Sequence, residues 1–264
     1  MMNKNVARAS KTSVLKTIQT LASNGLDPEP VHGVRIELRR LQAYWELHGD
    51  TKNAEVAADC VSQLSMLRTL QVFERYLERR GASRSDIRTV QARVEKLGSK
   101  LARKRTLSRI ERALKDLSVP VLELPSLAAR LAEARPGHAE ALHALIRKAS
   151  QPKRKTLHEL RLKIKTIRYQ EEWLLDHPDG NKELVAALKE AQDILGTYEE
   201  RAEFRKLAKK LDLRFSKRIR KDWRRARKRA RALPQKLRRH LPALAQPPGR
   251  ILPFRTKDGG ASTP

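Results

Sequence analysis

The sequence predicts an all-α protein. Apolar residues recur at three- and four-residue spacing over long segments. No run shows the two-residue alternation and β-branched enrichment of a strand. Glycine and proline, 11 and 13 among 264 residues, cluster between the periodic segments more than within them, as long helices require.

Taken in order, a first helix is expected over 12–23, ending at Asn24-Gly25. The second, 29–47, follows DPEP, where Asp27 and two prolines mark a helix start, and stops before Gly49-Asp50. Helices over 53–80 and 84–117 end at Gly81 and ahead of Pro120. The segment 125–148 carries a break at Pro136-Gly137. After Pro152 comes 157–175, opened by Thr156 and Glu159 at the spacing of a capping box, which would place His158 in a first helical turn. Pro178-Asp-Gly precedes 181–209, and a strongly basic helix closes the series over 213–240. Residues 1–11 and 241–264 lack a sustained period and read as flexible ends of a helical domain over 12–240.

An internal repeat organises that domain. Shifting the chain by 126 residues lays 31–41, VHGVRIELRRL, over 157–167, LHELRLKIKTI, and eight of eleven columns keep their residue class. Two halves, about 12–118 and 124–240 with about four helices each, are therefore expected to be related by an approximate two-fold. In each copy one stripe is apolar: Val31, Val34, Leu38, Leu41 and Trp45, then Leu157, Leu160, Ile164, Ile167 and Leu174. One position on runs a basic stripe, His32, Arg35 and Arg39 in the first copy and His158, Arg161, Lys165 and Arg168 in the second. A stripe beside the buried seam lies at a groove edge or an interface, so the two stripes are expected to face each other.

Charge narrows the partners. A net +28 repels itself unless a polyanion neutralises it, which points to nucleic acid, an anionic membrane or a polyphosphate-like polymer and away from acidic or apolar partners. Neighbours about 5–6 Å apart on a helix surface form a ladder that can follow a linear anion. Arginine supplies bidentate donors and lysine a compact charge. Only 11 aromatic Phe, Trp and Tyr residues leave few platforms for stacking bases. No P-loop, H-E-x-x-H, G-x-S-x-G or paired-carboxylate motif is present, so catalysis is not expected. His138 and His143 miss the i, i+4 spacing of a helical metal site, and the single cysteine, Cys60, reads as a small buried hydrophobe; no metal or cofactor is expected. No apolar run is long enough to span a bilayer, and a cytoplasmic protein is the default expectation.

The segments VHGVRIELRRL and LHELRLKIKTIRY, followed by AQDILGTYEERAEF, resemble the CHAD domain, the conserved-histidine α-helical domain. That resemblance implies two pseudo-symmetric helical bundles around a basic surface that binds inorganic polyphosphate, in a stand-alone module associated with polyphosphate granules. It assigns phosphate contact to His32, Arg35, Arg39 and Arg40 in the first half, and to His158, Arg161, Lys163, Lys165, Arg168 and Tyr169 in the second. Gln42, Thr166 and the SMLRTLQV segment around Arg68 depart from the family pattern. On the last helix one basic line runs through Arg218, Lys221 and Arg225 and a second through Arg220 and Arg227. One line is expected to join this surface while the other stays solvated; the spacing does not say which, and Arg218, Lys221 and Arg225 are the candidates. The function read from the sequence is non-catalytic polyphosphate binding, with sequence-nonspecific nucleic-acid binding as the alternative.

Overall fold

In the computed structural model of the chain, residues 6–24, 26–120, 124–148, 153–175, 180–240 and 242 are described. The fold is all-α. Among the described residues ten α-helices follow one another, α1 Val6–Asn24, α2 Pro28–Leu47, α3 Thr51–Gln63, α4 Ser65–Arg79, α5 Arg84–Arg103, α6 Thr106–Lys115, α7 Leu124–Lys148, α8 Arg154–Glu172, α9 Lys182–Lys210 and α10 Ser216–Leu237, with a short 3-10 turn after them and no strand. The expected flexible ends fall mostly outside the described residues, except that α1 already begins at Val6 and buries Ala7 and Ser10.

Three apolar clusters hold the helices together. The first joins α1, α2, α3, α6 and the first half of α7. A second joins the later half of α7 to α8, α9 and α10, through Leu142, Leu157, Leu160, Leu195 and Ala230 among others. In the third, Phe73 and Tyr76 of α4 and Val90 of α5 meet Phe204 of α9 and Ile219 of α10, with the Phe73 and Phe204 rings stacked at 4.7 Å. Because α7 and α9 each feed two clusters, a change in one cluster is felt in its neighbours.

The helix boundaries correct three expectations. The helix expected over 53–80 breaks at Leu64, with neither glycine nor proline to announce it. Val61 O, freed by the break, is met by the Ser65 hydroxyl at 2.9 Å and by Arg35 Nη1 at 2.8 Å, so side chains supply donors that a continuous helix would have supplied. The helix expected over 84–117 breaks at Arg105, which takes a left-handed φ of 49°. Conversely, α7 runs unbroken through Pro136. A proline in a helix interior costs about 3 kcal/mol. Burial of Leu127 and Leu131 before it and Leu142 and Ile146 after it, in two different clusters, keeps the axis continuous.

Both predicted seams are buried: Val31, Val34, Leu38, Leu41 and Trp45 on α2, and Leu157, Leu160, Ile164 and Ile167 on α8, with Leu174 just beyond it. The two helices pack against each other. Gln170 Nε2 donates to Ala43 O at 3.0 Å, Thr166 Oγ1 to Glu46 at 3.2 Å, and Arg40 Nε lies 3.5 Å from Glu172. The basic stripe of each repeat unit is thereby brought to one shared face.

Candidate anion-binding site

The site is built where α2 and α8 lie side by side. Arg35 and Arg39 project from α2, Arg161 and Lys165 from α8, all half-buried. Their mutual influence shows in their acidities. Burial, then the charges of Arg39, Arg68 and Arg161, pulls the Arg35 guanidinium down to about 10. Burial lowers Arg39 as well, with Arg161 adding repulsion against the opposing pull of Tyr169 and Glu46. Lys165 is affected most: burial first, then Arg161, Arg39, Arg35 and Arg168, brings its ammonium down to about 7.

Hydrogen bonding leaves this cluster unsatisfied. Arg35 is committed to Val61 O and, at 2.7 Å, to Ser65 Oγ. Arg39 reaches Gln42 Oε1 at 2.9 Å through Nη1, yet its Nε is buried without a partner, and so is Nε of Arg161. Lys165 makes no hydrogen bond or ion pair among the described residues. Most of the nearby carboxylates serve other cations: Glu172 takes Arg168 and Arg40, Glu37 takes Arg40, and Glu199 and Glu203 both take Arg154, whose acidity they suppress. Glu46 pulls on Arg39, and Glu200 on Arg161 and Arg68, without forming an ion pair with any of them. Four cations thus converge with none of these acids paired to them, although a buried donor left unpaired costs about 1–3 kcal/mol.

The flanking residues fall into two groups. Lys163 is half-buried, lowered chiefly by burial and drawn back up by Glu46. Arg68, on α4, donates to Pro28 O at 3.0 Å and contributes to the field at Arg35 and His32, so the position singled out in SMLRTLQV does belong to this face. Arg168 and Tyr169 are buried in the frame, whereas the Arg40 side chain lies nearer the surface, 39% exposed, and pairs with Glu37 and Glu172. Arg168 donates to Gln192 at 3.0 Å, pairs with Glu172 and lies 4.2 Å over the buried Tyr169 ring.

The histidines do not stand where the capping box would place them. α8 begins at Arg154 with Lys153 at its N-cap and no side-chain cap, so His158 is the fifth helical residue, in the second turn. His32 is likewise fifth in α2, which starts at Pro28. Neither is beside the free N–H groups of a first turn. The sequence signal was misleading because the helix gains its extra turn from Arg154, clamped by two glutamates of α9. Both histidines remain exposed at the end of their stripe. Burial, and the charges of Arg68, Arg35 and Arg75 against Glu29, lower His32, while His158 Nδ1 lies 3.9 Å from Glu199.

The structure does not bring the α10 line to this cluster. Arg218, Lys221 and Arg225 are exposed, and none of the groups that shift Arg35, Arg39 or Lys165 belongs to α10. Arg218 and Arg225 instead flank Asp222, one turn away on each side, and the buried Asp222 accepts from Tyr76 at 2.8 Å and pairs with Arg80 at 3.2 Å. Arg201, stacked 4.2 Å over Tyr76, completes that junction, and no sequence spacing pointed to it. Among the described residues no group of three or more His, Cys, Asp or Glu could hold a metal ion, and no helix is long and apolar enough to cross a membrane.

An α-helical domain with two repeated basic helices laid side by side defines a class, and comparison with protein families agrees. Residues 12–209 match the CHAD domain, and the chain belongs to that family. The match ends within α9, so α10 and its basic lines lie beyond it. No curated protein and no solved structure matches the chain.

Proposed function

We propose that the α2–α8 face binds inorganic polyphosphate without cleaving it, and that this binding places the protein on polyphosphate granules. The observation that carries the reading is Lys165, held among Arg35, Arg39 and Arg161 with no carboxylate partner. A cluster of that kind costs free energy in the free protein. A linear polyanion offsets the cost by supplying oxygen acceptors and charge along the stripe, and CHAD membership supports polyphosphate as that polymer.

In this reading Arg39, Arg161 and Lys165 contact phosphate directly, Arg35 and Lys163 extend the contact, and His32 and His158 close the two ends. Arg40, Arg168 and Tyr169 position the face, being already engaged by Glu172, Gln192 and one another. Arg218, Lys221 and Arg225 add a separate basic strip on α10 that long chains reach after leaving the cluster. Binding alone is assigned, because the residues gathered at the cluster are cations and none is placed as a base beside a nucleophile.

Nucleic acid is the competing ligand, since any chain of charge +28 binds DNA or RNA at low salt. Labelled long-chain polyphosphate, single- and double-stranded DNA and RNA are to be titrated in parallel at about 150 mM salt, where exposed charges are screened within roughly 8 Å. Tighter binding of polyphosphate is expected. Equal or tighter binding of nucleic acid would overturn the assignment.

A further inference from the structure

A second basic site lies at the turn between α9 and α10, away from the α2–α8 cluster and across the end of the family match, half of its lining within the match and half beyond it. Here the chain forms an open surface cavity of about 540 Å³ whose lining includes Arg205, Lys206, Lys209, Asp212, Ser216 and Arg220, the charged residues among them exposed. That volume is within the range of small-ligand sites, roughly 300–1,000 Å³. Its lining carries four cations against one carboxylate, over a floor that includes Ala208 and Leu213, and so favours an anion.

The turn is firmly built. Asp212 adopts a left-handed φ of 50°, Leu213 N donates to Ala208 O at 3.0 Å, and the buried Asp86 of α5 accepts from Arg214 N and Phe215 N at 3.2 and 3.0 Å. These bonds set the end of α9 against the start of α10 and so bring Lys209 and Arg220 to one cavity. Arg205 Cζ lies 4.1 Å from the Trp223 ring centroid, a cation–π contact that holds the guanidinium beside the cavity without using its N–H donors on a carboxylate. Arg205, Lys209 and Arg220 have no carboxylate partner among the described residues; Lys206 pairs with Glu203 at 3.2 Å. Three cations without carboxylate partners, one of them held against the Trp223 ring, and the Ser216 hydroxyl converge on a space too small for a folded macromolecule.

We propose that this cavity binds a compact oligophosphate group, two or three phosphates long, either as a free anion or as a segment of a longer chain. The inference does not rest on the α2–α8 reading. Its probe is inorganic tripolyphosphate, titrated calorimetrically into the full chain, into Arg205→Gln with Arg220→Gln, and into Lys165→Met. Lys209→Gln with Arg220→Gln leaves the Trp223 stack intact, and Arg103→Gln with Lys104→Gln removes equal charge elsewhere.

The unaltered chain is expected to bind two anions, and each cavity double variant one. The Arg103/Lys104 variant is expected to keep both, and Lys165→Met to keep the cavity site. A single site in the unaltered chain that both cavity variants keep, or two sites retained in both cavity variants, overturns the proposal. If instead the cavity variants lose one site while Lys165→Met binds like the unaltered chain, the cavity stands and the α2–α8 reading falls. Long-chain polyphosphate separates the two sources: at least about tenfold weaker binding in the cavity variants assigns the site to the polymer, and unchanged binding assigns it to a free oligophosphate.

Discussion

In the proposed reading Lys165 couples charge, proton and ligand at a single atom. Its ammonium, near 7 in the folded chain, lies below the ordinary lysine value of 10.5, so the unfolded chain holds more protons between those two values. The stability of the free protein therefore rises with pH through that window, and below about pH 7 the full cost of the buried charge is present. A phosphate beside Lys165 favours the charged form and raises its pKa again. At pH 8 polyphosphate binding is thus expected to take up a proton, and affinity is expected to fall as pH rises from about 7 toward 10. Calorimetry in buffers of different ionisation enthalpy measures the uptake, and its persistence in Lys165→Met would assign the proton to another group. A different residue-scale contact holds α4 to α10. Burial, and the bond to Asp222, push Tyr76 up to about 12, so it stays a donor throughout. Tyr76→Phe leaves Asp222 with Arg80 and is expected to cost about 1 kcal/mol in chemical denaturation.

At the scale of the helix, Pro136 is exposed in the middle of α7. Pro136→Ala restores the N–H that the carbonyl four residues back lacks, against a smaller loss of unfolded-state stiffness, and is expected to stabilise by about 1–2 kcal/mol in a thermal melt. Destabilisation would mean that α7 needs its proline bend to feed two clusters. The same helix shows how far sequence reading reaches. The seams and basic stripes of α2 and α8 were legible because burial imposes a period that a repeat makes visible twice. The continuity of α7 was not legible, since packing in two distant clusters overrode a local breaker. Nor was the break at Leu64, because the donors that accept it, Arg35 and Ser65, act through tertiary contact. The capping box failed for the same reason: Arg154 gains its place in α8 from Glu199 and Glu203, 45 and 49 residues away.

Across the molecule, charge distribution separates structure from function. The sequence placed a basic stripe on each of two helices, yet could not show which of those cations the acids would claim. Folding assigns Glu172 to Arg168 and Arg40, and Glu199 with Glu203 to Arg154, and leaves Arg39, Arg161 and Lys165 together. If one polymer spans both helices, binding to one stripe raises the effective concentration at the other. Arg39→Gln and Arg161→Gln are then expected each to weaken long-chain polyphosphate by about tenfold and to lessen its salt dependence, with smaller losses for short oligophosphates. The pair Arg103→Gln with Lys104→Gln, exposed at the α5–α6 turn, is expected to change long-chain binding far less. Equal losses from all these changes would reduce the site to net charge.

The claim that this cluster is maintained for a polyanion at the expense of the free fold is tested most directly by Lys165→Met, measured in one preparation for both thermal stability and polyphosphate affinity. At pH 6 to 7 the substitution replaces a buried, repelled ammonium with an apolar side chain of similar length, and it is expected to stabilise the free protein by about 1–3 kcal/mol, a shift of several degrees. Long-chain polyphosphate binding is expected to weaken at least about tenfold in the same variant. A variant that is less stable than the parent, or that binds polyphosphate as tightly, would contradict the account.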